Sequence, residues 1–211
     1  MNKEEWYPQL LKYLLGFEQK MPAEFDGLLF PKLTLPVYYP EDTLILKPNE
    51  IASWAYWPIT GFTRTYEEYK PENDSETVKQ KTVGISVPGK VTLPANSFMN
   101  QSKSEYFVEI TKGSTMVGFS YGAFKDLGTQ MPEVFMLASQ IVTKENEDRE
   151  IERKMRALDR TQGYQAFLKH FGPEVESFIF QMHIAGFIGM SPETLSRIRT
   201  AGGHGDEYLR K

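Results

Sequence analysis

HIAGFIGMSPETLSRIRT, residues 183–200, decides the fold. An apolar run stops at Gly189, and Ser191-Pro192-Glu193 then opens a second short helical pattern. At about 100° of rotation per residue, Phe180, Ile184, Phe187 and Ile188 share one side of the first helix and form a core face. Ala185 is small where a crossing helix has to come close. Gly189 can take a positive φ and end the first helix at little cost. Ser191 is a suitable N-cap, Pro192 fits the first helical position, and Glu193 suits the positive end of the helix dipole. In the second helix Leu195 and Ile198 point back at the first. Glu193, Ser196, Arg197 and Thr200 are left outward. These side chains have groups that reach base edges and phosphates, Arg as a bidentate donor to guanine and Glu as an acceptor from cytosine. Two readings fit the periodicity: a DNA-reading helix-turn-helix, or a helical hairpin whose outer face is polar because it meets water.

Charge bears on that choice. The net charge of −4 hides an asymmetry: residues 1–148 carry 14 Lys and Arg against 20 Asp and Glu, and residues 149–211 carry 10 against 8. Nucleic-acid binding needs a local positive footprint rather than a basic whole, and the tail permits one. A 211-residue chain that is 40% apolar and 13% aromatic can bury a real core. The absence of cysteine excludes a disulfide scaffold, a thiolate zinc site and a cysteine-ligated iron–sulfur cluster. Residues 1–148 hold no histidine, and His170, His183 and His204 all lie in the tail, so neither a metal site nor a haem is expected. His183, beside the core helix, is expected to be structural. The first 17 residues are charged and amphipathic, unlike a signal peptide, and no run approaches the length of a membrane span. The expected address is the cytoplasm. No nucleophile–base grouping and no phosphate-binding glycine loop is present, since GISVPGK has Val87 and Pro88 where such a loop needs glycine. The chain is therefore not expected to be an enzyme or to carry a cofactor.

Outward from the opening stretch, the chain divides into four pieces. Residues 4–19 read as a helix, with Trp6, Leu10, Leu11, Leu14 and Phe17 at helical spacing. From about Leu33 to Tyr121, segments such as LTLPVYY, TLILK, GFTRTYEEY, VKQKTVGISV and EYFVEI are separated by turn formers, which suggests a small sandwich or barrel. Residues 122–160 turn helical, and the last fifty read as three or so short helices. Val134, Ala138, Ile141 and Met155 lie on one side of the long helix and suit the seam of a parallel pair, weakened in its middle by Glu145, Glu147 and Asp148.

IAGFIGMSPETLSRIR resembles the helix-turn-helix of the Crp–Fnr family of bacterial transcription regulators. Members typically follow I-A-x-x-L-G with a Ser or Thr and then E-T-x-S-R. Here those positions are Ile184, Ala185, Ile188 in place of Leu, Gly189, Ser191, Glu193, Thr194, Ser196 and Arg197. The resemblance implies that Glu193, Ser196 and Arg197 read base edges in the major groove, with Ser191 beside them and Thr194 and Arg199 on phosphate. It implies an α+β fold: an N-terminal double-stranded, jelly-roll-like β-roll over residues 1–122, a long dimerisation helix over 123–158 and a helix-turn-helix domain over 159–211. It also implies double-stranded DNA, a second copy of the chain and RNA polymerase as partners. TLILKPNE and YWPITGFTRTYEEY are similar to the family's strand, turn and strand, with Gly61 as the mid-hairpin glycine, Arg64 nearby, and Asn49 where glycine is usual. Asn tolerates the left-handed conformation that such a turn needs. Two departures stand out. FGPEVESFIFQM, residues 171–182, reads helical where the family often has a β-hairpin wing, and the glycines of GGHGDEYLRK, residues 202–211, make a fraying tail.

Members that bind cyclic AMP carry a Gly-Glu pair and, further on, an Arg followed by Ser or Thr. The corresponding stretch here, PANSFMNQSKSEYFVEI (residues 94–110), has neither Gly-Glu nor arginine. Asn100, Lys103 and Ser104 are its candidate ligand-binding side chains. Lys103 offers a point charge instead of the planar fork that grips a phosphate, so cyclic AMP is not expected and the effector is unassigned. Trp54, Tyr56 and Trp57 either line a pocket or form plain core. Two functions remain: a dimeric DNA-binding regulator, or a ligand-binding β-roll sensor whose helical tail docks a protein partner. The intact Glu193, Ser196 and Arg197 face favours the first.

Overall fold

A computed structural model describes residues 3–17, 20–71 and 76–201; the expected fraying tail with His204 lies outside them. Helix α1 (Lys3–Phe17) follows the sequence pattern, burying Trp6, Leu10 and Leu14 while Leu11 and Phe17 pack at the edge of the core. A short helix α2 (Phe25–Leu29) and a 3-10 turn at Phe30–Lys32 lead into the strands.

The strands are β1 (Val37–Tyr39), β2 (Thr43–Leu46), β3 (Trp54–Thr60), β4 (Thr63–Tyr69) and β5 (Lys79–Ser86). After helix α3 (Ala95–Asn100) come β6 (Phe107–Ile110) and β7 (Ser114–Ser120). They form two sheets, ordered β1-β7-β3 and β2-β6-β4-β5, and every pairing is antiparallel. This is the expected β-roll. Its turns behave as the residue types require: Asn49 takes φ 69 and Gly61 takes φ 80. Gly61 is not mid-hairpin, however. β3 and β4 belong to different sheets, so Gly61 turns the corner between them. A Cβ there would lie 2.0 Å from Ser114 Oγ and 2.7 Å from Ser114 Cα, which leaves no room for any side chain.

The expected single helix over 123–158 is two helices, α4 (Tyr121–Gln130) and α5 (Glu133–Arg156). Pro132 is the cause: its ring disfavours helical geometry at the preceding residue, and Met131 is extended at φ −143 and ψ 90. The expected seam is also corrected. Val134, Ile141 and Met155 are buried in the chain's own cores and Ala138 packs against one of them, so this face of α5 has no free surface for a partner. Amphipathic spacing identified a buried face without saying which neighbour buries it.

The tail holds α6 (Arg160–Phe171), α7 (Val175–Phe178), α8 (Gln181–Phe187) and α9 (Pro192–Ala201). Asp159 caps α6, accepting from the N–H groups of Thr161 and Gln162 at 3.0 Å each. Residues 171–182 are helical or irregular as expected, with no wing strand among the described residues. Two hydrophobic cores result. The first joins both sheets to α1, α4 and α5 through residues such as Trp6, Trp57, Val108, Val117 and Leu137. The second belongs to the tail, yet it also takes Phe62 and Ile85 from the roll, so the helical domain packs against the β4–β5 end.

Candidate nucleic-acid interface

The two helices of the opening stretch meet through the residues their spacing marked. Ile184, Ala185, Phe187 and Leu195 are at most 1% exposed, and Ile188 is 6% exposed. Ile198 packs at the edge of the same core. Gly189 takes φ 75. The Met190 N–H reaches the Ala185 carbonyl at 2.9 Å and the Gly189 N–H reaches that of Gly186 at 3.3 Å, a Schellman ending to α8. The Thr194 N–H donates to Ser191 Oγ at 3.2 Å, the expected N-cap, and the Ser191 and Thr194 hydroxyls bond at 3.1 Å. One expectation fails: Phe180 is 68% exposed. It is the residue before α8, in extended geometry, so the 100° rotation that placed it on the core face does not apply.

Glu193, Ser196, Arg197 and Thr200 all lie exposed on the outer side of α9. Hydrogen bonding from Ser191, then from the backbone, holds the Glu193 carboxyl below its usual range, with the Arg197 charge adding to the effect. Glu193 is thus an acceptor at neutral pH. Arg199 is placed differently. Its Nε lies 3.2 Å from Glu176 Oε1 and its Nη1 donates to Gln181 Oε1 at 3.3 Å. The Tyr164 hydroxyl donates to Glu176 Oε1 at 2.8 Å. Arg199 therefore ties α9 to α6, α7 and α8.

Asn100, Lys103 and Ser104 line one cavity of about 620 Å³ between the roll and α5. The Asn100 side chain donates to Asn96 Oδ1 at 2.9 Å. Ser104 Oγ donates to the Tyr106 carbonyl at 2.9 Å and accepts from the Tyr106 N–H at 3.1 Å, so its hydroxyl is engaged. Lys103 and Arg149 supply positive charge, opposed by Glu105 and Glu145 on the same walls. Trp54, Tyr56 and Trp57 take no part in this cavity: Trp57 is core, 5.3 Å from the Tyr13 ring, and Trp54 is 39% exposed.

No family model matches the sequence, and no curated protein matches it either. Solved structures do match in three dimensions. A protein of Eubacterium rectale assigned to the Crp–Fnr family of transcriptional regulators is similar with a TM-score of 0.62 at 14% identity, covering 90% of this chain and 88% of that one. FixK2 from Bradyrhizobium japonicum gives 0.59 at 16% identity, over 79% and 83% of the two chains. A cyclic nucleotide-binding domain from Methylobacillus flagellatus gives 0.55 at 12% identity, over 70% and 82%. The fold is that of the Crp–Fnr regulators.

Within this Crp–Fnr fold, the contact between the roll and α8 includes Arg64, which is 2% exposed. Its Nε meets Glu109 Oε1 at 2.6 Å, its Nη2 donates to Gln80 Oε1 at 2.7 Å, and its Nη1 lies 3.1 Å from His183 Nδ1 on α8. Arginine has only donors, so His183 Nδ1 accepts and the imidazole is neutral. Burial, then the Arg64 charge, pushes the His183 pKa down to about 4. His183 is structural, as expected, but its partner is in the roll. Sequence reading missed Glu176 and Gln181 as braces of α9, and Arg149 as a wall of the cavity. None carries a signal, because a single polar residue on a short helix has no period that points to its partner.

Proposed function

We propose that the chain is a sequence-specific DNA-binding transcription regulator that acts as a homodimer. The observation that carries this reading is the outer face of α9, where Glu193, Ser196 and Arg197 stand exposed while Leu195 anchors the helix at 0% exposure. Acceptor, hydroxyl and guanidinium along one short helix are the groups that read base edges in a major groove. Ser191 and Thr194 sit at the start of that helix, where phosphate oxygens meet helix N-termini. Arg199 orients the helix in place of binding phosphate. The roll cavity is the effector site of this reading, and its mixed charge fits a ligand without a cyclic phosphate.

Selection from a random duplex library by gel shift, followed by sequencing, tests the proposal. The enriched pool should be an inverted repeat with half-site centres roughly one helical turn (~34 Å) apart and half-sites resembling TTGA. A bound pool with no sequence preference, or no bound pool, overturns it. The helical tail would then be a docking module for a protein partner.

A further inference from the structure

The cleft where the roll, α5 and α6 meet takes no part in the reading proposed above. It is a cavity of about 370 Å³, within the usual span of small-molecule sites, roughly 300–1,000 Å³. Tyr13, Phe17, Val91, Ile141 and Phe171 supply apolar wall, and Glu152 and His170 also line it. Glu152 is 5% exposed, and its Oε2 is buried without a hydrogen-bond partner. Its Oε1 lies 4.0 Å from His170 Nε2, beyond hydrogen-bond range.

The nearby cations are engaged elsewhere. Arg149 meets Glu145 at 2.8 Å, Lys90 meets Asp148 at 2.6 Å, and Arg156 lies over the Phe187 ring at 4.9 Å. A buried acceptor left unmatched costs about 1–3 kcal/mol. Among the described residues no hydrogen bond to Oε2 offsets that cost. Glu152 also follows Ile141 and precedes Met155 on the buried face of α5, where leucine would suit the period. A carboxyl at such a position has a physical reason if a hydrogen-bond donor enters the cavity.

We propose that this cleft is a second small-molecule site, separate from the roll cavity, for a compact apolar molecule bearing one neutral N–H or O–H donor that Glu152 accepts. A cationic ligand fits less well, because Arg149 and Arg156 lie close enough to Glu152 to favour its charged form. Thr65, Ser86, Tyr106 and the Glu145–Arg149 ion pair line both cavities and form the wall they share. Walls from the roll, α1, α5 and α6 mean that an occupant touches both domains at once. Burial pushes Glu152 up to about 7, with Asp148 and Glu145 adding to that rise and Arg149 and Arg156 opposing it. From α6, His170 is held below its usual pKa by burial and by the Lys90 charge, so it adds no positive charge at neutral pH. Tyr13 of α1 is pushed up to about 12 by burial and stays neutral. A donor ligand favours the carboxylate, and binding should tighten as pH rises from about 6 to 8.

Indole, flat and apolar with a single N–H, is the probe. Calorimetry on the full chain should show binding that weakens about tenfold for 1-methylindole and for Glu152→Leu, each of which removes half of one hydrogen bond. Thermal unfolding should find Glu152→Leu at least as stable as wild type, which separates lost binding from lost fold. Lys103→Ala, in the roll cavity, should bind indole as wild type does. Failure of wild type to bind indole up to its solubility limit overturns the proposal, as does equal binding by Glu152→Leu. Library selection of DNA is independent of either result.

Discussion

Arg197 stands exposed on the outer face of α9, whereas Arg199, two residues on, is held by Glu176 and Gln181. Losing a bidentate arginine contact costs roughly 1–3 kcal/mol at the base it reads. Arg197→Ala should therefore flatten preference at the half-site guanine. Arg199→Ala should instead lower stability by about 1 kcal/mol, because a partly exposed ion pair is worth little more. Binding of both variants to a panel of single-base operator changes, with their melting temperatures, checks this; an unchanged base ranking for Arg197→Ala contradicts the assignment. Two buried groups set opposing pH slopes. Glu152 is raised from 4.5 to about 7, so between those values the folded chain holds a proton that the unfolded chain has released. Stability from this source falls as pH rises through that window. His183 is lowered from 6.5 to about 4, so between those values the unfolded chain holds a proton that the folded chain excludes, and stability rises with pH. The two nearly cancel in wild type below about pH 6.5. A variant isolates one of them: the stability of Glu152→Leu relative to wild type should grow from about pH 5 to pH 8, by up to about 3 kcal/mol at roughly 1.4 kcal/mol per pKa unit. A difference that does not change with pH would show that Glu152 titrates normally.

At the scale of elements, two glycines with positive φ separate strain from space. A Cβ at Gly189 meets nothing within 4 Å, whereas at Gly61 it meets the Ser114 backbone. Gly189→Ala should cost about 1–2 kcal/mol, the left-handed penalty alone. Gly61→Ala adds a clash that cannot relax and should cost more than Gly189→Ala by several kcal/mol. Urea titration of both variants decides, and equal midpoints would mean that the β3–β4 corner yields. The same comparison shows why parts of the fold were legible in the sequence. Gly189, Ser191, Leu195 and the outer face of α9 obey rules that act within a few residues, so the helix-turn-helix could be read directly. The break at Pro132 is equally local, but the apolar period runs through it and masks it. The fate of the Val134–Ile141–Met155 face was not legible, because its cover comes from α1, the roll and the tail, all far away in sequence. Glu152 shares that face and kept the appearance of an ordinary member of a charged run. Residues 94–110 were legible for what they lack. With Lys103 and Arg149 opposed by Glu105 and Glu145, calorimetry should find no cyclic AMP binding at physiological concentration. A dissociation constant in the low micromolar range contradicts this.

At the scale of the whole molecule, the proposed two-fold dimer, if it pairs along α5, uses the side that the chain leaves uncovered. Met136, Thr143, Glu147, Glu150 and Lys154 are exposed there, and with Gln140 they recur at alternating steps of four and three. That is heptad spacing, but the seam is polar. In a parallel pair Glu147 would face its own copy across the axis, and so would Glu150. Each is partly neutralised within its own helix, Glu147 by Lys144 at 3.0 Å and Glu150 by Arg153 at 2.7 Å. The dimer should therefore be weak at low salt and tighten as salt screens the repulsion, since the Debye length falls to about 10 Å at 0.1 M. DNA binding should move the opposite way, because phosphate contacts release counterions and lose affinity as salt rises. Sedimentation of the free protein across a salt series, beside binding to a fixed inverted repeat, should give slopes of opposite sign. Met136→Glu should leave a monomer that still binds one half-site weakly and loses the inverted repeat. A dimer that Met136→Glu leaves intact, or that dissociates as salt rises, places the two-fold axis away from this face of α5.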